Sequence, residues 1–173
     1  RVSSMHRRET APYHVLFLGN GNRSTSILAE AYLNWAGQSR FRAYSAGYGA
    51  ADFIDPVAVE VLAVHRINPA KCRSKGWDQF VGRHAPTMDF IFLVCPRCPE
   101  IAAANWPGQP IVSQWQVSVP SGLPEDVAVK RQAFLHAFAE LTARINKLLD
   151  VPIGSLDRPT LQATFDGIGE GRI

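Results

Sequence analysis

The sequence predicts an α/β domain built on a parallel sheet. Two short and almost wholly apolar stretches, 14–18 and 88–94, are typical of central parallel strands that are covered on both faces. Amphipathic stretches alternate with the strand-like ones, and the connections between them are short. We therefore expect a single three-layer domain, in which a four-stranded parallel sheet carries helices on both faces.

Composition places the chain among ordinary globular proteins. Its 173 residues fit one domain, and a chain of this size buries about 70% of its unfolded surface. The net charge of +3 is small and the basic residues are scattered, which makes nucleic acid an unlikely partner and gives no reason to expect a membrane partner. No apolar run approaches the length of a membrane span, and no signal-peptide pattern is found, so we expect a cytoplasmic protein.

Three segments are expected. Residues 1–13 lack periodicity and carry three arginines against one glutamate, which predicts a flexible basic arm, although a partner-binding or strapping role is the alternative. Residues 14–150 should form the α/β domain. Residues 151–173 should form a tail whose short helix packs on that domain.

The first βαβ unit is well marked. Strand 14–18 is followed by a loop of small and polar residues, and a helix then runs to Gly37, a good C-terminal stop. Ser24 or Thr25 can serve as its N-cap. A second strand is expected at 41–46.

The next helix has a strong start signal, because Asp55 can cap it and Pro56 suits its first position. Asn68 and Pro69 should end it. One face carries apolar residues: Val57, Val61 and Val64. A short helical piece is expected at 77–80.

The buried strand 88–94 leads into the sequence Cys-Pro-Arg-Cys-Pro. A short helix at 99–105 and a strand at 111–113 should follow. The longest helix should open at Pro124, with Glu125 and Asp126 in its first turn. Its apolar stripe comprises Val127, Phe134, Phe138, Leu141, Ile145 and Leu148.

Pro152 should stop that helix, and Asp157 should cap a last amphipathic one. The apolar positions of this final helix are Leu161, Phe165 and Ile168.

The stretch HVLFLGNGNRSTSILAE at 14–30 has the layout of an anion-binding βα turn, because backbone N–H groups and the helix dipole both favour a negative charge there. We expect it to hold an oxyanion such as phosphate, arsenate or sulfate. The candidate ligands are Asn20, Gly21, Asn22, Arg23, Ser24, Thr25 and Ser26.

Parallel strands end at one edge of the sheet, so other stretches should converge on this loop. The expected crevice residues are Gly19, Ser45, Cys72, Arg73 and Trp115, with Cys95 at the same edge.

This stretch closely resembles the phosphate loop of low-molecular-weight protein tyrosine phosphatases and thioredoxin-coupled arsenate reductases, which reads strand, Cys-x5-Arg-Ser, helix. Further motifs resemble the arsenate reductases, and the C-terminal motifs resemble the tail of longer bacterial members. They are Tyr44-Ser45-Ala46-Gly47, Asp55-Pro56-x-Ala58, Arg73-Ser74-Lys75, Asp89-Phe90, Val94-Cys95, Trp106-Pro107-Gly108, Leu156-Asp157-Arg158, Leu161-Gln162 and Ile168-Gly169. The resemblance covers about 14–169 and implies a phosphatase-like α/β fold.

The reactive side chains of the family are replaced. Laid on the family pattern, the nucleophilic Cys falls on Gly19, the oxyanion-clamping Arg on Thr25 and the phosphatase general acid on Val119. The third reductase Cys falls on Ala103, and a reductase His on Gln114. Because a glycine offers no side chain, the resemblance implies a catalytically degenerate member.

Two substitutes remain open. A hydroxyl at 24, 25 or 26 could act as nucleophile, but no base is placed beside it by the sequence. Arg23 could replace the missing clamp, because a guanidinium binds oxyanions in a bidentate manner. Retained anion binding is therefore compatible with lost catalysis.

Cys95 and Cys98 form a Cys-x-x-Cys pair at the end of a strand. A redox-active dithiol, a metal-ligand pair with Cys72 and two inert thiols are the three alternatives. The five histidines show no metal-ligand spacing, and neither a metal nor another cofactor is expected.

Three functions follow. The favoured one is a degenerate relative of the reductases and phosphatases that binds an oxyanion or a protein partner. The second is a thiol oxidoreductase using Cys95 and Cys98. The third is a non-enzymatic interaction module based on the N-terminal arm and the 114–126 segment.

Overall fold

The computed structural model describes residues 11–22, 24–49, 53–95, 106–118 and 126–172. Several sequence-based expectations concern residues outside these ranges: the arm at 1–10, Arg23, Cys98, the helix at 99–105, Ala103 and Val119. They remain predictions.

A four-stranded sheet forms the centre of the fold. All of its pairings are parallel, and the strands lie in the order β2-β1-β3-β4. The strands are β1 (Tyr13–Gly19), β2 (Phe41–Gly47), β3 (Phe90–Leu93) and β4 (Ile111–Gln114). The predicted fold class is therefore confirmed, with strand boundaries shifted by one or two residues.

Among the described residues, four α-helices flank the sheet: α1 (Thr25–Gly37), α2 (Pro56–Val64), α3 (Val127–Asp150) and α4 (Arg158–Gly169). Short 3₁₀ helices lie at Gln38–Arg40, Trp77–Phe80 and Ile153–Ser155. The helical piece predicted at 77–80 is thus a 3₁₀ turn.

The helix starts follow local capping chemistry. The Asp55 carboxylate accepts the Val57 backbone N–H at 3.0 Å, and the Asp157 carboxylate accepts that of Thr160 at 2.9 Å. The sequence predicted that α3 opens at Pro124 with Asp126 in its first turn. Both predictions are wrong, because α3 begins at Val127 and Asp126 precedes it. Asp126 is instead the N-cap, because its side chain accepts the backbone N–H groups of the first turn.

The larger apolar cluster covers one face of the sheet. β1 contributes Val15 and Phe17 to it, and all four α-helices pack against it. Side chains alternate along a strand, so Leu16 and Leu18 point to the opposite face, where Phe80 and Trp106 belong to a second cluster.

Two predicted core positions are wrong. Val64 is 73% exposed, because it is the last residue of α2, and Val127 is 53% exposed, because it is the first residue of α3. The other predicted apolar positions of α3 are buried, as are Leu161, Phe165 and Ile168 of α4. The last helix therefore packs into the main core.

Candidate functional site

The loop after β1 lies at the carboxyl edge of the sheet and leads directly into α1. Asn22 is fully enclosed in it and has a left-handed backbone, with φ of 50°. Asparagine tolerates this conformation better than most residues do, because its short side chain can hydrogen-bond locally. The sequence Gly-Asn-Gly-Asn thus permits the tight turn that returns the chain to the helix.

The Asn22 side chain holds the loop from both sides. Its Nδ2 donates to Ser26 Oγ at 2.9 Å, and its Oδ1 accepts the backbone N–H of Lys75 at 2.6 Å. A further bond runs from Ser74 Oγ to the Gly21 carbonyl oxygen at 3.3 Å. The loop is therefore fastened to the 74–75 segment, more than fifty residues away.

The end of β2 packs closely beneath the same loop. A Cβ at Gly47 would lie 2.6 Å from the Asn22 nitrogen and 2.7 Å from the Gly21 carbonyl carbon, so a side chain is sterically excluded. The backbone N–H groups of Tyr48 and Gly49 donate to the carbonyls of Gly19 and Asn20 at 3.1 and 2.9 Å. The carbonyl oxygens of Gly19 and Asn20 are thus directed toward the residues that follow β2.

The N-terminus of α1 carries an unsatisfied hydroxyl. Thr25 is buried, and its Oγ1 has no hydrogen-bond partner among the described residues. Ser24 occupies the N-cap position but makes no side-chain cap bond. An orphaned buried hydroxyl costs about 1–3 kcal/mol, which a bound acceptor would recover. Together with the helix dipole, these features suit an anion.

Gly19 ends β1 directly beside Ser26. A Cβ at Gly19 would lie 3.0 Å from Ser26 Oγ and 3.3 Å from Ser26 Cβ, so a side chain could enter if Ser26 moved by a few tenths of an ångström. Gly19 itself presents no side-chain atom to whatever lies in the loop.

A buried ion pair lies close to the loop. Lys75 Nζ is 3.7 Å from Glu30 Oε1 and donates to the Arg73 carbonyl at 2.6 Å, while Ser45 Oγ donates to Glu30 Oε2 at 3.1 Å. Burial raises the pKa of Glu30, and the Lys75 charge partly opposes the increase. Burial likewise lowers the pKa of Lys75, against the Glu30 charge.

The two remaining crevice candidates of this region differ in exposure. Arg73 is exposed, whereas Cys72 is a partly buried free thiol. Burial and the negative charge of Glu30 raise the pKa of Cys72 to about 11. The thiol is therefore protonated at neutral pH and is a poor nucleophile.

Cys95 also lies at this edge. The Val94 backbone N–H donates to the Leu18 carbonyl at 2.8 Å. Cys95 therefore lies one residue beyond the point where the chain after β3 pairs with the end of β1. Cys95 is buried and disulfide-bonded. Trp115 is fully buried, stacks on Phe92 at 4.1 Å between ring centroids, and lines a separate cavity toward α3.

Of the predicted anion ligands, the structure brings together Asn20, Gly21, Asn22, Ser24, Thr25 and Ser26 in one turn. Glu30, Gly47 and Lys75 were missed as site residues. The motifs Tyr44-Ser45-Ala46-Gly47 and Arg73-Ser74-Lys75 are the signals that could have identified Gly47 and Lys75, since each has a close partner in the loop or in α1.

Within the described residues, no group of three or more histidine, cysteine, aspartate or glutamate side chains could hold a metal ion. In the same part of the chain, no helix has both the length and the apolar character needed to cross a membrane.

Comparisons with solved structures identify the fold. An arsenate reductase from Archaeoglobus fulgidus is 28% identical with a TM-score of 0.60, over 79% of this chain and 99% of that one. An arsenate reductase in the phosphate binding state is 20% identical with a TM-score of 0.59, over 79% and 96% of the two chains.

A tyrosine phosphatase from Erwinia amylovora is 18% identical with a TM-score of 0.57, over 85% of this chain and 95% of that one. No protein-family model matches the sequence, and comparison with curated proteins finds no match. The chain therefore has the fold shared by the family of arsenate reductases and low-molecular-weight tyrosine phosphatases, and its similarity to the Archaeoglobus protein supports a relationship to that family.

Proposed function

We propose that the chain is a catalytically degenerate member of this family that binds a tetrahedral oxyanion in the 19–26 loop. The observation that carries the proposal is the unpartnered Thr25 hydroxyl at the N-terminus of α1, in a loop that Asn22 holds in place. A phosphate-sized anion would supply the acceptor that Thr25 lacks.

The loss of catalysis is argued from Gly19. Attack at phosphorus or arsenic requires a thiolate or an activated hydroxyl at this point, and removal of a nucleophile typically costs about 10⁴ to 10⁶ in rate. Gly19 provides neither group. Cys72 is no substitute, because its pKa of about 11 keeps the thiol protonated.

The Ser26 hydroxyl is an equally weak candidate nucleophile. It accepts a hydrogen bond from the Asn22 amide, which cannot act as a base. A serine nucleophile needs an adjacent group that takes its proton. We therefore assign Ser26 a structural role in shaping the loop.

Binding and catalysis are separable in this architecture. The helix dipole and the backbone N–H groups at the start of α1 do not depend on the residue at position 19. A relative of the same fold was captured in a phosphate binding state, which supports phosphate as the first probe for this loop.

The test compares binding with turnover on the same protein. Thermal unfolding is measured with phosphate, arsenate and sulfate at constant ionic strength, with chloride as the control. A ligand that binds the folded state stabilises it by about 2.7 kcal/mol when its concentration is one hundred times Kd. The melting temperature therefore rises with ligand concentration. Aryl phosphate hydrolysis and thioredoxin-dependent arsenate reduction should both stay at background. Robust turnover in either assay would overturn the proposal.

A second candidate, a thiol oxidoreductase using Cys95 and Cys98, is favoured by the disulfide-bonded state of Cys95. Oxidation of two thiols to a disulfide releases two electrons and two protons, which matches a two-electron reduction of a substrate. Thiols are counted in denatured protein before and after mild reduction of the folded protein. A count that rises from one to three supports cycling, and an unchanged count excludes it.

A further inference from the structure

A cavity of about 510 Å³ lies beyond the ends of β3 and β4, against the inner side of α3. Its volume falls within the range of small-molecule sites, roughly 300–1,000 Å³. The described residues that line it come from 94–95, 114–118 and α3, and they include none of loop residues 19–26. The cavity is therefore separate from the anion loop.

Arg144 supplies the positive charge of this cavity. Its Nε is 3.4 Å from the Gly169 carbonyl oxygen, and its Nη1 is 3.5 Å from the Glu140 carbonyl oxygen. Both contacts are long for hydrogen bonds, and a guanidinium has five N–H donors in a planar fork. Arg144 thus retains donors for a bidentate ligand such as a carboxylate.

Glu140 is the negative group of the cavity, but its oxygens are already used. The Ser118 backbone N–H and hydroxyl donate to them at 2.8 and 2.9 Å, and His136 Nε2 lies 2.9 Å away. These contacts tie the 115–118 segment to α3. These hydrogen bonds occupy the Glu140 oxygens without cancelling their charge, so among the described lining residues the charged donors left for a ligand are those of Arg144.

The rest of the wall is mixed. Its polar lining residues are Gln114, Gln116 and Ser118, and its apolar ones are Val94, Cys95, Trp115 and Val117. The apolar part of this lining suits a ligand with an apolar body, because burying apolar surface there is favourable.

We propose that this cavity binds a small monocarboxylate with an apolar body, with Arg144 as the residue that holds its carboxylate. The carboxylate meets the guanidinium on the α3 side, and the apolar body lies against Val117. This site is independent of the oxyanion loop and does not rest on the proposed function.

Hydrocinnamate is the probe, and its uncharged analogue hydrocinnamamide is the matched ligand. Isothermal titration of the full chain should give a Kd of about a millimolar or tighter for hydrocinnamate, as ligands of this size allow. The amide should bind at least about tenfold more weakly, because the charge-assisted hydrogen bonds to Arg144 are lost. Saturating phosphate should leave the hydrocinnamate Kd unchanged.

Arg144→Gln should weaken hydrocinnamate binding by about tenfold to a hundredfold and leave the weak amide binding as it was. Arg131→Gln is the control, since Arg131 lies on the same helix but pairs with Glu60 at the surface, 2.8 Å away. If Arg144→Gln does not fold, Val117→Phe, which fills the cavity, should abolish binding. The proposal would be overturned if acid and amide bind with equal affinity, or if folded Arg144→Gln binds hydrocinnamate as tightly as the wild type. Absence of hydrocinnamate binding to the wild type would also overturn it.

Discussion

Asn22 and Lys75 are joined by a 2.6 Å hydrogen bond from the Lys75 backbone N–H to the Asn22 side-chain oxygen. This contact places the end of the 71–75 segment against the 19–26 loop. The Lys75 side chain forms an ion pair with Glu30 of α1, in which Nζ lies 3.7 Å from Oε1. A single residue therefore connects the loop backbone with a buried ion pair, and the loop conformation depends on both.

The first prediction concerns Asn22. Asn22→Ala should destabilise the folded state by about 2–4 kcal/mol, because two buried hydrogen bonds are lost and alanine disfavours a φ of 50°. Asn22→Gly removes the same bonds without the backbone strain, so it should cost about 1 kcal/mol less. Urea unfolding of the two variants measures the difference. Equal stability to the wild type would show that the bonds do not hold the loop.

The second prediction concerns the close approach at Gly47. Gly47→Ala places a Cβ 2.6 Å from the Asn22 backbone nitrogen, so the loop must move, at a cost of about 1–3 kcal/mol. Gly49→Ala is the matched control, because no atom of the described residues lies within 4 Å of its added Cβ. Denaturant unfolding of both variants measures the two losses of stability. A similar loss in the two would contradict the packing argument.

Much of the fold follows from local patterns. The strands β1 and β3 are apolar runs bounded by polar residues, and Asp55 and Asp157 are caps that the chain actually uses. The errors lie at element ends, where periodicity does not determine exposure: Val64 and Val127 continue an apolar stripe but emerge into solvent.

The site was only partly predictable. The loop residues could be identified from the strand, turn and helix pattern, because that information is local. The Glu30–Lys75 pair and the Gly47 contact could not, since each joins residues that only the tertiary fold brings together. Arg144 was missed for the same reason: in sequence it is an ordinary basic residue near a helix end.

The third prediction concerns the buried ion pair. Glu30→Gln or Lys75→Met alone should cost about 3–5 kcal/mol, because each leaves an uncompensated buried charge. The double variant should recover most of this loss, since removal of both charges also removes their desolvation cost. Urea unfolding of the single and double variants tests the cycle. Additive losses would show that the two charges do not interact.

The fourth prediction is the pH dependence of the same pair. Because the pKa of Glu30 is raised on folding, its contribution to stability is greatest below its ordinary pKa of 4.5 and is lost as pH rises through the raised value. Relative to the double variant, the wild type should therefore lose stability as pH rises from about 4.5 toward neutrality. Unfolding free energies across this window provide the measurement. If the wild type instead gained stability relative to the double variant as pH rises, the predicted direction would be contradicted.

The fifth prediction separates stability from binding at Thr25. Its Oγ1 has no partner in the part of the chain that the structure describes, so Thr25→Val should leave the free protein unchanged or slightly more stable. Phosphate affinity should nevertheless fall by about five- to thirtyfold, because the hydroxyl is assigned to the anion. Phosphate titrations of both proteins measure this. Unchanged affinity would remove Thr25 from the proposed site.

The central claim is that the loop holds an oxyanion without acting on it, and phosphorus NMR of an aryl phosphate titrated with the protein tests both parts together. The claim predicts that the aryl phosphate resonance broadens or shifts as protein is added, while no inorganic phosphate resonance appears. A resonance that stays unchanged would contradict binding. An inorganic phosphate resonance that grows with protein concentration would contradict the loss of catalysis at Gly19.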